Sequence, residues 1–365
     1  MSLSVGIVGL PNVGKSTLFN ALTKKGAETA NYPFCTIDPS VGVVAVPDER
    51  LWKLSEFSKS KKTIPAIVEF VDIAGLVKGA SEGEGLGNQF LANIRECDAI
   101  GEVVRIFEDG EIIHVNGKID PISDAETVNL ELILADLQTA KKRIDSVARD
   151  VKRGDKIAVK ENEALQKVYA MLESEQFASK ASLDEDEKKI VRALNLLTAK
   201  PILYILNKKA GGVNLDETND ERFQKLLTFF KERGDKYVVV DAKIEEELNE
   251  FEGEEKKNFA KELGVKSDGV DDLIVAAYQL LGLMTFFTTG EDESRAWTVK
   301  QGSAAPVAGM AIHTDFRDKF IRAEVVNWKA LLDAGSYGAA REKGLVRTEG
   351  KEYIVKDGDV IEFKI

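Results

Sequence analysis

A glycine-bounded loop ending in a lysine and a serine, Gly9-Leu10-Pro11-Asn12-Val13-Gly14-Lys15-Ser16, directly follows the apolar run of residues 5–8. The pattern G-x-x-x-x-G-K-[ST] between a strand and a helix makes a phosphate cradle. Its glycines let the backbone curl until successive N–H groups and the next helix N-terminus face one anion. Lys15 brings a cation to the β and γ oxygens and Ser16 a hydroxyl to Mg²⁺. Residues 16–23 carry Leu18, Phe19 and Leu22 at helical spacing, so the expected order is strand, loop, helix. That order commits the chain to an α/β sheet. Asn12, Val13, Gly14, Lys15, Ser16 and Thr17 are then the expected nucleotide-binding residues, with Lys15 also catalytic.

Further apolar runs at 67–73, 100–107, 201–206 and 237–240 alternate with helical segments, the pattern of a mostly parallel sheet covered on both faces. Ligand-binding loops sit at the carboxyl ends of such strands. Asp72 ends one run and is the expected second Mg²⁺ contact through water, while Gly75 lets the backbone approach the γ-phosphate. Between the two lies Pro33-Phe34-Cys35-Thr36-Ile37-Asp38-Pro39, where Thr36 either offers Mg²⁺ a hydroxyl while the γ-phosphate is present or is a simple turn residue. Residues 75–90 hold five glycines and read as a second switch.

A different texture interrupts the sheet. Leu130, Leu137, Ile144 and Val151 recur every seven residues, with Ile133, Ala140 and Val147 three places behind. The seam, a break at Gly154-Asp155 and a second helical run over 161–172 predict an antiparallel helical hairpin. After residue 283 the chain reads as short strands and turns, with strands expected at 295–299, 320–325, 353–355 and 360–365. The expected domains are therefore 1–127 with 198–282 for the nucleotide, 128–197 for the helical insertion, and 283–365.

Bulk properties narrow the setting. A chain of 365 residues with 44% hydrophobic content fits two or three folded domains. No apolar stretch reaches the length of a membrane span, and the start lacks the basic opening of a signal peptide, so the expected location is cytoplasmic. Cys35 and Cys97 make no disulfide framework. A net charge of −12 opposes nucleic-acid binding over the whole surface, and any RNA contact needs a local patch. Residues 137–160 supply one, with eight Lys and Arg against three Asp, a local charge of +5. The run 245–255, with seven acids, reads as a solvated face or loop.

The loop Gly9 to Ser16 with its continuation Thr17-Leu18-Phe19-Asn20-Ala21-Leu22, the stretch Phe70-Val71-Asp72-Ile73-Ala74-Gly75-Leu76-Val77-Lys78-Gly79-Ala80, and residues 83–90 together resemble the Obg-like (YchF) ATPase family over essentially the whole chain. The resemblance implies a Ras-like P-loop fold with an inserted coiled-coil hairpin. It also implies a C-terminal TGS domain of β-grasp type, carried by Arg295-Ala296-Trp297-Thr298-Val299, Ile312-His313-Thr314-Asp315-Phe316 and Tyr353-Ile354-Val355-Lys356-Asp357-Gly358-Asp359-Val360. It further implies a preference for ATP and association with ribosomes; the contact is expected through the TGS domain or, on the argument from local charge, through the basic helical tip.

Base choice is readable from residues. GTPases of this fold read guanine with the aspartate of Asn-Lys-x-Asp, and this chain has Asn207-Lys208-Lys209-Ala210. Without a carboxylate at 210 guanine gains no preference. Asn207 is expected to pair with adenine N6–H and N7 while the Lys208 stem covers a ring face. Ala210 also departs from the family's usual glutamate, which keeps mixed ATP and GTP use open. Val240-Asp241-Ala242-Lys243 is the expected last base-contacting loop. Leu76 stands where Ras-type enzymes hold a water-orienting glutamine, so hydrolysis should be slow unless another group enters the site; His114 is either that group or, more commonly for such a residue, a hydrogen-bonded structural histidine. Asn12 occupies the loop position at which some switch proteins hold a monovalent cation such as K⁺. Two other readings are a nucleotide-gated scaffold with little turnover and a small-molecule phosphotransferase. The second lacks an arginine-rich lid.

Overall fold

The computed structural model describes residues 3–26, 40–73, 86–109, 119–209, 211–251, 253–263 and 269–365. Thr36, Gly75, His114 and Ala210 lie outside them. The chain forms two compact units, 3–42 with 69–273 and 43–68 with 274–365.

In chain order, β1 (Ser4–Val8), α1 (Lys15–Gly26) and β2 (Val41–Ala45) precede α2 (Glu49–Ser58) and β3 (Thr63–Ile64). β4 (Ile67–Asp72), α3 (Leu86–Glu96), β5 (Ala99–Arg105) and β6 (Phe107–Glu108) lead to the long helices α4 (Pro121–Lys152) and α5 (Lys156–Glu173). Then come α6 (Glu185–Arg192), β7 (Ile202–Asn207), β8 (Val213–Asn214), α7 (Glu221–Arg233), β9 (Lys236–Val240), α8 (Ala242–Leu248), α9 (Gly253–Glu262) and α10 (Gly269–Leu280).

The first sheet has the order β2-β4-β1-β5-β7-β9, and its pairs from β4 through β9 are all parallel. Helices must cover both faces of such a sheet, which is why every residue of β5 is buried. Residues of β5 and β7 join α7 in one core of Val104, Tyr204, Leu206, Phe223, Leu226 and Phe230. Glu102 breaks the apolar run of β5. It is fully buried, and both carboxylate oxygens have no hydrogen-bond partner among the described residues. Burial, with the charges of Asp235 and Asp124 added, holds its carboxyl well above the usual range against the pull of Arg233.

α4 and α5 form the expected antiparallel pair. Pro121 opens α4, Asp120 caps it through the Ser123 N–H, and Asp155 caps α5 through the Ile157 and Ala158 N–H groups. Gly154, at φ +79°, makes the turn. α5 starts at Lys156, five residues before the run read from the sequence, because the Asp155 cap already satisfies its first N–H groups. Of the two seam lines, Ile133, Ala140 and Val147 are buried while Leu130 is 40% exposed, so the contact leans to one side. Deeper in, Asp136 accepts hydrogen bonds from Leu197 N–H, Thr198 N–H and the Thr198 hydroxyl, fastening α4 to the turn that leads into β7.

The second unit adds β10 (Leu283–Thr289), β11 (Ser294–Lys300), α11 (Ala305–Gly309), α12 (Asp315–Asp318), β12 (Arg322–Asn327), α13 (Trp328–Ala334), α14 (Tyr337–Glu342), β13 (Arg347–Glu349) and β14 (Asp359–Lys364). Its mixed sheet runs β13-β12-β14-β10-β11-β3, with β14 parallel to β10 and antiparallel to β12. The strand expected at 353–355 is only a single bridge between Ile354 and Ala304, since the Tyr353 and Lys356 groups turn to Asp359. Residues 43–68 are integral to this unit. Arg50 of α2 bonds Asp48 and Asp357 and stacks over Phe287 at 5.2 Å, and Ser60 bonds the Gly290 carbonyl and Ser294.

Candidate functional site

The loop between β1 and α1 lies at the carboxyl end of the central strands. Gly9 has φ +148°, and a Cβ there would stand 2.6 Å from the Val103 carbonyl oxygen; Gly14 has φ +98°, and its Cβ would meet Asn207 Nδ2 at 2.2 Å. Neither position tolerates a side chain. Asn12 is left-handed at φ 63°, a conformation short polar side chains accept. Leu10 and Val13 are buried and pin the loop, while Asn12 and Ser16 are exposed and Thr17 is half-buried.

Lys15 is buried, and its ammonium donates to the Leu10 carbonyl at 2.7 Å. Burial lowers its pKa to about 8, and the charge of Asp72 offsets part of that fall. Asp72, at the end of β4, is pushed upward by its own burial and drawn back by Lys15. A lysine so poorly solvated gains from an arriving anion.

Asn207 ends β7. Its Nδ2 donates to the Val13 carbonyl at 2.9 Å and its Oδ1 accepts the Ala242 N–H at 3.1 Å, so one buried amide ties the phosphate loop to the loop after β9. The expected two-point pairing of Asn207 with adenine would compete with both bonds, which give the residue a bracing role. Lys208 is half-buried, and its ammonium donates to Glu217 at 2.8 Å. Burial works against its charge, but Glu217 and Asp216 outweigh that and hold its pKa up. Asp241 caps α8 through the Ile244 N–H. Glu245, from the acidic run read as solvated, is buried and its carboxylate caps α10 at the Gly269 N–H, 2.7 Å away.

Other residues of the site carried no signal in the sequence. Arg105 is buried, stacks 4.4 Å over Phe107 and donates to the carbonyls of Phe107 and Asp109 at 3.0 and 3.3 Å. Asp109 pairs with Lys209, and Asn214 bonds both the N–H and the carbonyl of Lys209 at 2.9 Å. These contacts shape the loop after Asn207. The Asp109–Lys209 pair joins residues 100 apart in sequence, and no local spacing announces it. A separate cleft of about 490 Å³, lined by Asp98, Lys188, Arg192 and Lys200, lies at the amino ends of β5 and β7, away from the phosphate loop.

A parallel sheet whose first strand feeds a glycine loop and a helix, with a buried lysine on that helix and Asn-Lys ending β7, defines a P-loop nucleoside triphosphatase. Residues 4–137 match the family model described as 50S ribosome-binding GTPase, and residues 283–365 match the YchF-GTPase C-terminal model, described as a protein of unknown function (DUF933). The chain is 55% identical over 364 residues to the Ribosome-binding ATPase YchF of Bacillus subtilis (strain 168), covering 100% of this chain and 99% of that protein. It is 48% identical over 363 residues to the Ribosome-binding ATPase YchF of Escherichia coli O157:H7, with the same coverage. The solved structure of the Schizosaccharomyces pombe YchF GTPase matches with a TM-score of 0.88 at 40% identity, covering 100% of this chain and 98% of that one. The chain belongs to the YchF family. Among the described residues no helix is long and apolar enough to cross a membrane.

Proposed function

We propose that the chain binds ATP with Mg²⁺, hydrolyses it slowly, and uses the bound state to control association with the ribosome. The observation that carries this reading is Lys15, a buried ammonium at the start of α1 bonded to the Leu10 carbonyl of the glycine loop, its pKa lowered by burial to about 8. Lys15 takes the β and γ oxygens, and the backbone N–H groups of 13–17 take the rest of the phosphate chain. The donors Ser16 and Asp72 are hard oxygen ligands of the kind Mg²⁺ prefers, which fits that ion. Thr36, Gly75 and, for hydrolysis, His114 are assigned from the sequence alone. Held by Ser16 and Asp72, Mg²⁺ would supply charge neutralisation for the transferred phosphoryl group.

The names of the relatives divide between ATPase and GTPase. Ala210 favours the ATPase reading, because no carboxylate at that position rewards guanine. Asn12 is the proposed ligand of K⁺, and hydrolysis should rise when K⁺ replaces Na⁺. Residues 1–127 with 198–282, less the stretches 43–68 and 274–282 that group with the C-terminal unit, are the proposed nucleotide domain, 128–197 the proposed partner-binding arm, and 283–365 the proposed TGS domain. The arm's tip suits RNA: Lys141, Lys142, Arg149, Lys152 and Lys156 are exposed with no ion pair among the described residues, and Ile157 beside them is 79% exposed.

The test is a competition of ATP, GTP and their diphosphates for the purified protein in Mg²⁺. ATP should bind at least as tightly as GTP, and strong GTP selectivity would overturn the assignment. The second reading, a scaffold with little turnover, is favoured by Leu76 in place of a water-orienting residue. Single-turnover hydrolysis with and without ribosomes separates the two.

A further inference from the structure

The loop after Asn207 lacks the carboxylate at 210 that reads guanine in Asn-Lys-x-Asp proteins, yet two carboxylates follow close behind at Asp216 and Glu217. Glu217 is committed: Oε1 accepts from Lys208 Nζ at 2.8 Å and Oε2 from Asn214 Nδ2 at 3.1 Å. Asp216 is different. Its side chain is 17% exposed, its Oδ2 stands 4.0 Å from Lys208 Nζ, beyond hydrogen-bond reach, and its Oδ1 is buried with no hydrogen-bond partner among the described residues. A buried carboxylate oxygen without a donor costs free energy that a ligand's N–H returns.

Asp216 is also near the base-contacting loops. Lys208, its neighbour, bonds the Val240 carbonyl through its backbone N–H at 2.9 Å and feels the charges of Asp216, Glu217 and Asp241 together. Lys208 follows Asn207, which holds both Val13 of the phosphate loop and Ala242.

We propose that Asp216 is the base-reading carboxylate of this chain, its Oδ1 accepting one hydrogen bond from the exocyclic amino group of adenine. Guanine offers two donors side by side, N1–H and N2–H, and rewards a carboxylate with both oxygens available. Here Oδ2 faces an ammonium, and a single acceptor oxygen suits the single N–H that adenine turns to it. The assignment rests on the nucleotide-binding reading above and gives it a specificity residue.

The experiment is calorimetric binding of ATP and of purine riboside triphosphate, which lacks the amino group, to the full-length protein and to Asp216→Ala, both with Mg²⁺. The parent should prefer ATP by about tenfold or more, the worth of a charge-assisted hydrogen bond, and Asp216→Ala should bind the two nucleotides alike. An amino group worth the same factor in both proteins overturns the proposal, because the pairing then lies elsewhere. Should Asp216→Ala not fold, the isosteric Asp216→Asn retains an acceptor oxygen without its charge, and its preference should shrink to a few-fold. An undiminished preference in that variant also overturns the proposal. A parent protein that binds neither triphosphate refutes the nucleotide reading itself, which is a separate result.

Discussion

Asn207 and Val13 stand 194 residues apart in the chain, and the side-chain amide of the first donates to the carbonyl of the second at 2.9 Å. The same amide takes the Ala242 N–H, so its removal strands two buried backbone groups at once. Asn207→Ala should weaken triphosphate binding at least tenfold and lower stability by about 1–3 kcal/mol. Titration calorimetry and urea unfolding check both. Parent-like values would mean that the phosphate loop holds its shape without this brace.

Lys15 makes nucleotide binding pH-dependent in a defined direction. With a pKa near 8, against 10.5 for an ordinary lysine, the apo protein prefers the neutral amine more than the unfolded chain does, so stability gains as pH rises from about 8 to 10.5. Phosphate oxygens reverse the preference. Triphosphate binding should therefore take up about half a proton at pH 8 and far less at pH 7. Calorimetry in buffers of different ionisation enthalpy measures the uptake, and the Lys15→Arg protein should show none. Equal proton counts at the two pH values in the parent would contradict the burial of Lys15.

Glu102 should act against the fold at neutral pH. Its folded pKa lies far above the unfolded value of 4.5, so the unfolded chain ionises first and stability declines as pH climbs from about 4.5 toward the folded pKa. Glu102→Gln removes that decline. The variant should match the parent near pH 4 and exceed it by at least about 1 kcal/mol at pH 8. Melting curves across the pH range decide, and a difference independent of pH would mean the carboxyl does not titrate as burial requires.

All three tryptophans, Trp52, Trp297 and Trp328, fall in the unit formed by 43–68 and 274–365, so tryptophan fluorescence reports that unit alone. Arg50 joins Asp48, Asp357 and the ring of Phe287 there, and Asp357 also accepts the Thr285 N–H at 3.0 Å. Arg50→Met keeps the stem and loses the charge. It should shift the fluorescence-detected unfolding midpoint by the equivalent of about 1–3 kcal/mol. An unshifted midpoint would reduce the clamp to a surface ion pair.

If the arm's tip meets RNA as proposed, reversing charge at Lys152, Arg153 and Lys156 should lower ribosome affinity and flatten its salt dependence without altering ATP affinity, because cations seated on RNA phosphates displace counterions. Of the three, Arg153 already neighbours Asp150 at 3.5 Å, so it should contribute least. Co-sedimentation across a salt series reads both quantities. Binding and slope equal to the parent would move the contact to another surface.

Wherever a feature is encoded by neighbours in the chain, the sequence by itself determined it. The phosphate loop is contiguous, its glycines answer to local backbone angles, and the α4–α5 pair follows from a seven-residue period closed by Gly154 and capped by Asp155. The parallel sheet likewise follows from apolar runs alternating with helices. Only the tertiary structure decided what distant residues do for one another. Asn207 reads as a base ligand by position, and its role as a brace of the phosphate loop is visible only once the fold brings it to Val13. Glu245 looked solvated within its acidic run, and it became the cap of a helix that starts 24 residues later. Residues 43–68 carry no local sign of their partner, because β3 gains its hydrogen bonds from β11, more than 200 residues on, and such pairing depends on where the backbone brings two edges together. Hydrogen bonds and burial are set by proximity in space, and a sequence records that proximity only over the few residues across which a helix or turn fixes the distance.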